Sequence, residues 1–426
     1  MGTIAEEIFS RKVGRRVRAG EIVVAPVDYA MSHDNTTPIA IESFRKLGRP
    51  IWDLDRVIIT FDHMVPAPTT AAAELHKTIR AFIAEEGIRH VFQQGICHQV
   101  MVEEGFVLPG SLVVGADSHS CTYGALGCFG TGMGSTDVAI IYATGRSWFR
   151  VPESIRITLH GELQHGVYAK DVCLALARQL DVDGATYMAI EYGGEAVRAM
   201  EISERMTLAN MSIEMGAKAG LVEPDQRTLA YVTPRAREAF EPVFPENGVY
   251  ARTIELDVSS LTPQVACPNE VSNVAGVEEV VGTPLDQVFI GTCTNGRVDD
   301  LAIAAEILRG QTVHPNTRLV ITPASREVWI EALRRGYIET LMTAGAQITN
   351  AGCGPCIGRH QGVLGANERA LTTQNRNFKG RMGDPTSQLY LGSPATAAAS
   401  VLAGQIADPR PYLHPAIEPG LAVGQV

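Results

Sequence analysis

The sequence predicts an α/β protein whose parallel strands end in a reactive site. Three observations point there. Short apolar runs alternate with helix-like stretches, several of those runs end in Asp or His, and three cysteines stand in Gly-rich loops as one plus two. Ligands of open α/β folds bind outside the carboxyl ends of the strands, so polar residues that follow apolar runs carry functional weight.

Composition narrows the class. A chain of 426 residues is long enough for two or three domains, each with its own core. Apolar residues make 45% and charged residues 19%, with 41 Gly and 23 Pro, an ordinary globular balance rich in turn formers. A formal net charge of -11 argues against nonspecific binding to nucleic acid or an anionic membrane. The one basic run, Arg11, Lys12, Arg15, Arg16 and Arg18, has acids nearby and reads as a solvated helix end. The first residues carry early acids and no apolar core of a secretory peptide, and no apolar run reaches membrane-spanning length. A cytoplasmic protein is expected. Eight cysteines are too sparse for a disulfide scaffold.

Along the first 150 residues the pattern repeats. VRAGEIVVAPVDYA holds a short apolar run ending in polar residues, and TPIAIESFRKLG has helical periodicity closed by Gly48. Arg56 to Phe61 reads as a strand that ends at Asp62-His63 before a Pro-rich turn. TTAAAELHKTIRAFIAEEG is a helix stopped by Gly87. HVFQQGICH and GSLVVGADSH again place polar groups after an apolar run, ending in His98 and His119. The following Gly130-x-Gly132-x-Gly134 is not the dinucleotide fingerprint, so close packing or anion contact by loop amides is the expected use of these glycines. A boundary is expected at Val151-Pro152 and another near 254, giving units 1–151, 152–254 and 255–400, with an extended Pro- and Gly-rich tail over 401–426.

Cys293 lies in FIGTCTNGR after an apolar run; Cys353 and Cys356 lie in NAGCGPCIG. The glycines allow close backbone approach and leave amides free to donate to sulfur. Three soft ligands without an obvious fourth suggest a metal centre with an open position, as catalytic sites have. Structural zinc and a redox dithiol stay open on spacing alone. Cys97, Cys121, Cys128, Cys173 and Cys267 show no ligand spacing and read as small buried apolar residues.

Ordered motifs then identify a resemblance. FDHMVPAP, GICHQV, GADSHSCTYGALGCFGTGMGSTDVA, MTLANMSIEMGAKAG, IGTCTNGR, NAGCGPCIG, QNRNFKGRMG and YLGSPATAAAS run from residue 61 to 400. Together they resemble the aconitase superfamily, and within it the large-subunit branch of 3-isopropylmalate dehydratases and homoaconitases. The resemblance implies an aconitase-type fold, three α/β domains around an iron-sulfur cluster, without the swivelling fourth domain. It implies a [4Fe-4S] cluster held by Cys293, Cys353 and Cys356, with one iron that no protein residue ligates and that acts as a Lewis acid.

The same resemblance carries over the site residues. Asp62 and His63 match an acid pair in which the histidine delivers a proton and the aspartate orients it. His98, Asp117, Ser118 and His119 match residues around bound water and substrate, Asp117 holding a histidine. His33 and Asp34 match a substrate-proximal loop, with a helix cap at Asp34 or Asn35 as the alternative. Asn210 and Glu214, four apart and so on one helix face, match a pair near the cluster in which Asn210 orients the glutamate. Asn375, Arg376 and Arg381 match an anion grip, and guanidinium forks suit a substrate with two or three carboxylates.

The implied activity is that of a hydro-lyase interconverting 2-isopropylmalate and 3-isopropylmalate by dehydration and rehydration, in leucine biosynthesis. Homoaconitate and methyl-substituted malate or citrate compounds are alternative substrates. A cluster-sensing RNA-binding protein is the remote, non-enzymatic alternative. Superfamily members take the carbon-bound proton with a serine of the swivelling domain. After Arg381 only 45 residues follow, so a small swivel-domain subunit carrying that serine is the expected partner, with no nucleic acid or membrane partner.

Overall fold

A computed structural model describes residues 2–413 and contains three mainly parallel sheets and a two-stranded ribbon. The first sheet has strands His90–Phe92, Val57–Thr60, Tyr29–His33, Leu112–Gly115 and Phe129–Gly132 in that order, every neighbour parallel. The three central strands are buried along their whole length, as strands covered by helices on both faces are. Chain order runs outward from Tyr29–His33 to one side and then, from Leu112–Gly115, to the other. The switch point therefore lies between these two strands, and a crevice opens at their carboxyl ends.

The expected helices form for the expected reasons. Thr37–Leu47 ends on Gly48 at φ 60° and Thr70–Glu86 ends on Gly87 at φ 73°, both left-handed positions that glycine adopts at little cost. His98 belongs to the first turn of the helix Cys97–Glu103, and His119 to the 3₁₀ helix Ser118–Leu126, each just beyond its strand. The glycines after it serve close packing. A Cβ on Gly132 would come within 2.6 Å of the Asp117 carbonyl oxygen, and one on Gly124 within 1.7 Å of the Gly220 carbonyl oxygen. No methyl group fits in either place. The basic run ends the helix Ile4–Val13, where Lys12 pairs with Asp28 and Arg15 with Glu21.

The second sheet orders Ala219–Val222, Ala189–Gly193, Ser154–His160 and Arg252–Asp257, all parallel. Arg252–Asp257 crosses the expected boundary at 254 and belongs to this sheet, because Ile254 closes its core. The third sheet orders Val274–Gly276, Gln264–Ala266, Gln388–Leu391, Arg369–Thr372, Gln287–Gly291, Arg318–Thr322 and Gln347–Ile348. Its last five strands are parallel, with a second switch point between Arg369–Thr372 and Gln287–Gly291. The helix Pro394–Ala403 runs past residue 400, and Ile406 is fully buried with its amide bonded to the Thr283 carbonyl. The expected extended tail thus packs back on the third sheet through residue 413, and 414–426 lie outside the described residues.

Glu191 joins the first two units. Its buried carboxylate accepts from the Ala5 amide at 3.3 Å, Ser154 Oγ at 3.1 Å and Tyr250 Oη at 3.0 Å. Burial pushes its pKa up to about 6, against the pull of those donors. An acid with a raised folded-state pKa favours folding fully below its unfolded pKa, and that contribution disappears as pH rises through about 6. Glu191→Gln should therefore raise the unfolding free energy by about 2 kcal/mol above about pH 7 and change it little near about pH 4. Urea titrations of both proteins at the two pH values check this.

Candidate active site and metal centre

The two switch points face each other, and the loops after their strands supply the site. From the first sheet come His33, Asp62, His63, His98, Asp117, Ser118 and His119; from the third come Cys293, Cys353, Cys356, Asn375, Arg376 and Arg381. Asp62 ties them together. Its Oδ1 lies 2.7 Å from His63 Nδ1, its Oδ2 accepts from the Cys97 amide at 2.6 Å, and its carbonyl accepts from the Cys353 amide at 2.9 Å.

A connected set of imidazoles and carboxylates lines the crevice. His98 Nε2 is 2.8 Å from Asp117 Oδ1, which also accepts from the His119 amide at 2.8 Å. Asp117 Oδ2 lies 3.4 Å from His33 Nε2 and 3.7 Å from His63 Nε2. The His33 and His63 rings stack with centroids 3.8 Å apart. His119 Nε2 is 2.8 Å from Glu214 Oε1, and Glu214 is ion-paired to Arg376 at 2.9 Å. Burial opposes charge on His63, but Cys353 and Asp62 outweigh it and hold the ring well above the usual histidine range. Burial likewise opposes ionisation of Asp117, but His98, His119 and His33 hold it well below the usual carboxylate range. His98, in contrast, is lowered by its burial. One histidine is thus set to carry a proton and its neighbour to stay neutral, the division that acid-base work requires.

The helix-cap alternative for Asp34 does not hold. Asp34 is fully buried and accepts from the His63 amide at 3.0 Å and the Met64 amide at 2.8 Å, with His76 Nε2 at 3.1 Å. It shapes the turn that presents His63. Asn210 and Glu214 do not share one α-helix: the helix Ile202–Met211 ends between them and Glu214 lies in the 3₁₀ turn Ser212–Met215. The Asn210 amide donates to Cys293 Sγ at 3.1 Å and to Thr122 Oγ1 at 2.8 Å, so it supports a cysteine instead of orienting the glutamate. Ser118 is half-buried with Oγ 3.4 Å from His119 Nδ1. Cys267 is half-buried, and the other four unassigned cysteines are buried as expected.

The three cysteines lie farther apart than three sulfur ligands of one ion would. All eight cysteines are free. Sulfurs around one tetrahedral zinc lie about 3.8 Å apart. Among the described residues, Cys293, Cys353 and Cys356 do not together form a group whose ligand atoms all fall within 4.8 Å of one another, whereas Cys293 does so with His98 and His119. The sulfurs also have donors: Asn375 Nδ2 lies 3.5 Å from Cys293 Sγ, and Arg381 Nη2 lies 3.4 Å from Cys356 Sγ. Donors aimed at sulfur suit iron-sulfur ligation. Burial holds the Cys293 thiol up at about 12, so loading such a site with metal must release a proton. Arg381 Nε is buried without a hydrogen-bond partner among the described residues, and His33 Nε2 has the Asp117 carboxylate at 3.4 Å but no closer hydrogen bond.

Arg297 was not among the expected site residues. Its guanidinium donates to the Cys293 carbonyl at 2.5 Å, the Thr294 carbonyl at 2.7 Å, the Ser203 carbonyl at 3.2 Å and Gln99 Oε1 at 3.2 Å. It ties the Cys293 loop to both other units. Its position four residues after a candidate ligand was the available signal.

A fold with two facing switch points, a histidine-carboxylate crevice and three separated cysteines defines a cofactor-using α/β enzyme. The description "Aconitase family (aconitate hydratase)" matches residues 6–284 and 278–404, and the chain belongs to this family. It is 54% identical over 415 residues to 3-isopropylmalate dehydratase large subunit 1 of Methanopyrus kandleri, covering 96% of this chain and 99% of that protein. It is 49% identical over 416 residues to the probable methanogen homoaconitase large subunit of Methanothermobacter thermautotrophicus, covering 96% and 97%. The crystal structure of Thermococcus kodakaraensis aconitase X (holo-form) shares the fold at 14% identity, with a TM-score of 0.51 over 91% of this chain and 93% of that one. No described helix is long and apolar enough to cross a membrane.

Cys353→Ser should leave the fold intact and reduce iron and sulfide bound after anaerobic reconstitution by at least about half, because a serine oxygen is a poor substitute for thiolate on iron. Iron and sulfide assays beside the unaltered protein check this.

Proposed function

We propose that this chain is the large subunit of a 3-isopropylmalate dehydratase, which interconverts 2-isopropylmalate and 3-isopropylmalate. The observation that carries this reading is the Asp62–His63 pair set against three separated cysteines, two of them with donors at sulfur, in a chain so similar to such large subunits. The three sheets correspond to three α/β units around the cysteines, and Cys293, Cys353 and Cys356 would hold a [4Fe-4S] cluster. When bound, that cluster supplies Lewis-acid chemistry through an iron without a protein ligand.

The chain's own residues then divide the work. His63, held by Asp62, gives a proton to the departing hydroxyl, which leaves as water, and recovers it when water adds back. Asp117 holds His98 in orientation, while His33, Ser118 and His119 offer hydrogen bonds to substrate or water. Glu214, held by His119 and Arg376, faces the hydroxyl. Arg376 and Arg381 hold the carboxylates of the malate core, and the unpartnered Arg381 Nε supports that role. Asn210 and Asn375 support Cys293. The proton on carbon goes to a base outside these residues, and the serine of a small swivel-domain subunit is its proposed site. Eight free cysteines suit the reducing cytoplasm.

Homoaconitate is the second reading, because relatives described as homoaconitase large subunits are nearly as similar. The two substrates differ by a carboxylate-bearing side chain against an isopropyl group, and burying an unpaired carboxylate is costly.

Coexpression with a small subunit and an anaerobic panel of isopropylmalates, homocitrate and methyl-substituted malates tests both readings. Isopropylmalate turnover by the complex and none by the loaded chain alone is expected; turnover at a normal rate by the chain alone would overturn the partnership. Asp62→Asn should lower kcat by about 10²–10⁴-fold with KM little changed, since it removes the carboxylate that keeps His63 charged and oriented. Steady-state kinetics of the complex measure this.

A further inference from the structure

Lys170 is the second residue of the helix Ala169–Leu180 and has no exposed surface. A cation is poorly placed there, since the positive end of the helix dipole is beside it. Its ammonium has no carboxylate within salt-bridge distance among the described residues; the adjacent Asp171 accepts from the Gln264 and Tyr168 amides instead. Lys170 Nζ donates to the carbonyl oxygens of Gln374 at 2.5 Å and Thr373 at 3.0 Å, with Met211 Sδ at 3.8 Å. The two carbonyl oxygens need donors but not a charge, so they alone do not explain a buried cation.

The segment it grips does explain it. Thr373 Oγ1 accepts from the Gly291 amide at 3.0 Å, two residues before Cys293. Asn375 and Arg376 follow, one reaching Cys293 and the other Glu214. Lys170 is thus bonded to the turn that touches both a candidate ligand and the crevice carboxylate. Burial lowers its pKa to about 8, with Cys173, Glu214, Cys293 and Cys356 opposing the shift, so it is charged at neutral pH.

We infer that Lys170 is a positioning and charge-balancing residue of the cysteine pocket: it holds the turn carrying Asn375 and Arg376 and offsets the negative charge of a cluster bound by three thiolates. This rests on the cluster reading above. A buried cation stabilises the more reduced, more negative cluster, and net charge and hydrogen bonding set such potentials. Lys170→Met removes charge and grip, whereas Lys170→Gln removes charge and keeps a donor.

The test uses the complex with its small subunit, loaded anaerobically, with circular dichroism, EPR-monitored redox titration and steady-state kinetics. Both variants should lower the midpoint potential, and Lys170→Met should also raise KM several-fold above Lys170→Gln. An unchanged potential in folded, loaded variants would overturn the inference while leaving the cluster reading intact. Failure of both variants to fold even as metal-free chains would assign Lys170 to folding alone and also overturn it. A wild-type complex without a four-iron signal would remove the cluster reading, and this inference with it.

Discussion

The structure depends on one contact: the turn at Asp62 pressed against the turn at Cys353. The Asp62 carbonyl accepts from the Cys353 amide while its carboxylate holds His63 and the Cys97 amide. One residue therefore sets the distance between a candidate proton donor and a candidate metal ligand. Gly352 makes the approach possible, since a Cβ there would stand 2.7 Å from the Asp62 carbonyl oxygen. The two units also meet where the Ile96 amide donates to the Ala324 carbonyl and the Arg326 amide to the Gln94 carbonyl, so the crevices of the two sheets face each other across a joined edge.

Charge is distributed to match. Asp34 and Asp62 are buried and Asp117 is largely so, all three are held below the usual carboxylate range, and each has an imidazole beside it. Glu214 is flanked by His119 and Arg376. Buried carboxylates without such partners would take up protons, as Glu191 tends to do at the joint between the first two units. On the sulfur side, Asn210, Asn375 and Arg381 point donors at Cys293 and Cys356, and Lys170 and Arg297 reach the loops behind them. Each unit contributes at least one of these residues, so the site is a product of the docking of all three.

Much of this was legible in the sequence because it is local. An apolar run followed by Asp-His or by a small residue and Cys marks a strand end, and glycine after a helical period marks its stop, as at Gly48 and Gly87. Motif order then identified the family. What was not legible depended on partners distant in the chain. Asp34 reads as a cap from its neighbours, yet it serves His63 and His76; Asn210 reads as a helical partner of Glu214, yet its amide turns to Cys293. Arg252–Asp257 could be assigned to the second sheet only by its pairing with Ser154–His160.

The sequence by itself determined which residues end strands, which turns stop a helix on glycine and, through motif order, which family the chain belongs to, because these follow from periodicity, backbone freedom and local spacing. Only the tertiary structure decided which side chains meet. Lys170 looks like an ordinary helical lysine until folding places two carbonyl oxygens from residues more than two hundred positions away against its ammonium. The reason is physical: buried polar groups take their protonation and orientation from whatever surrounds them, and those surroundings come from other parts of the chain.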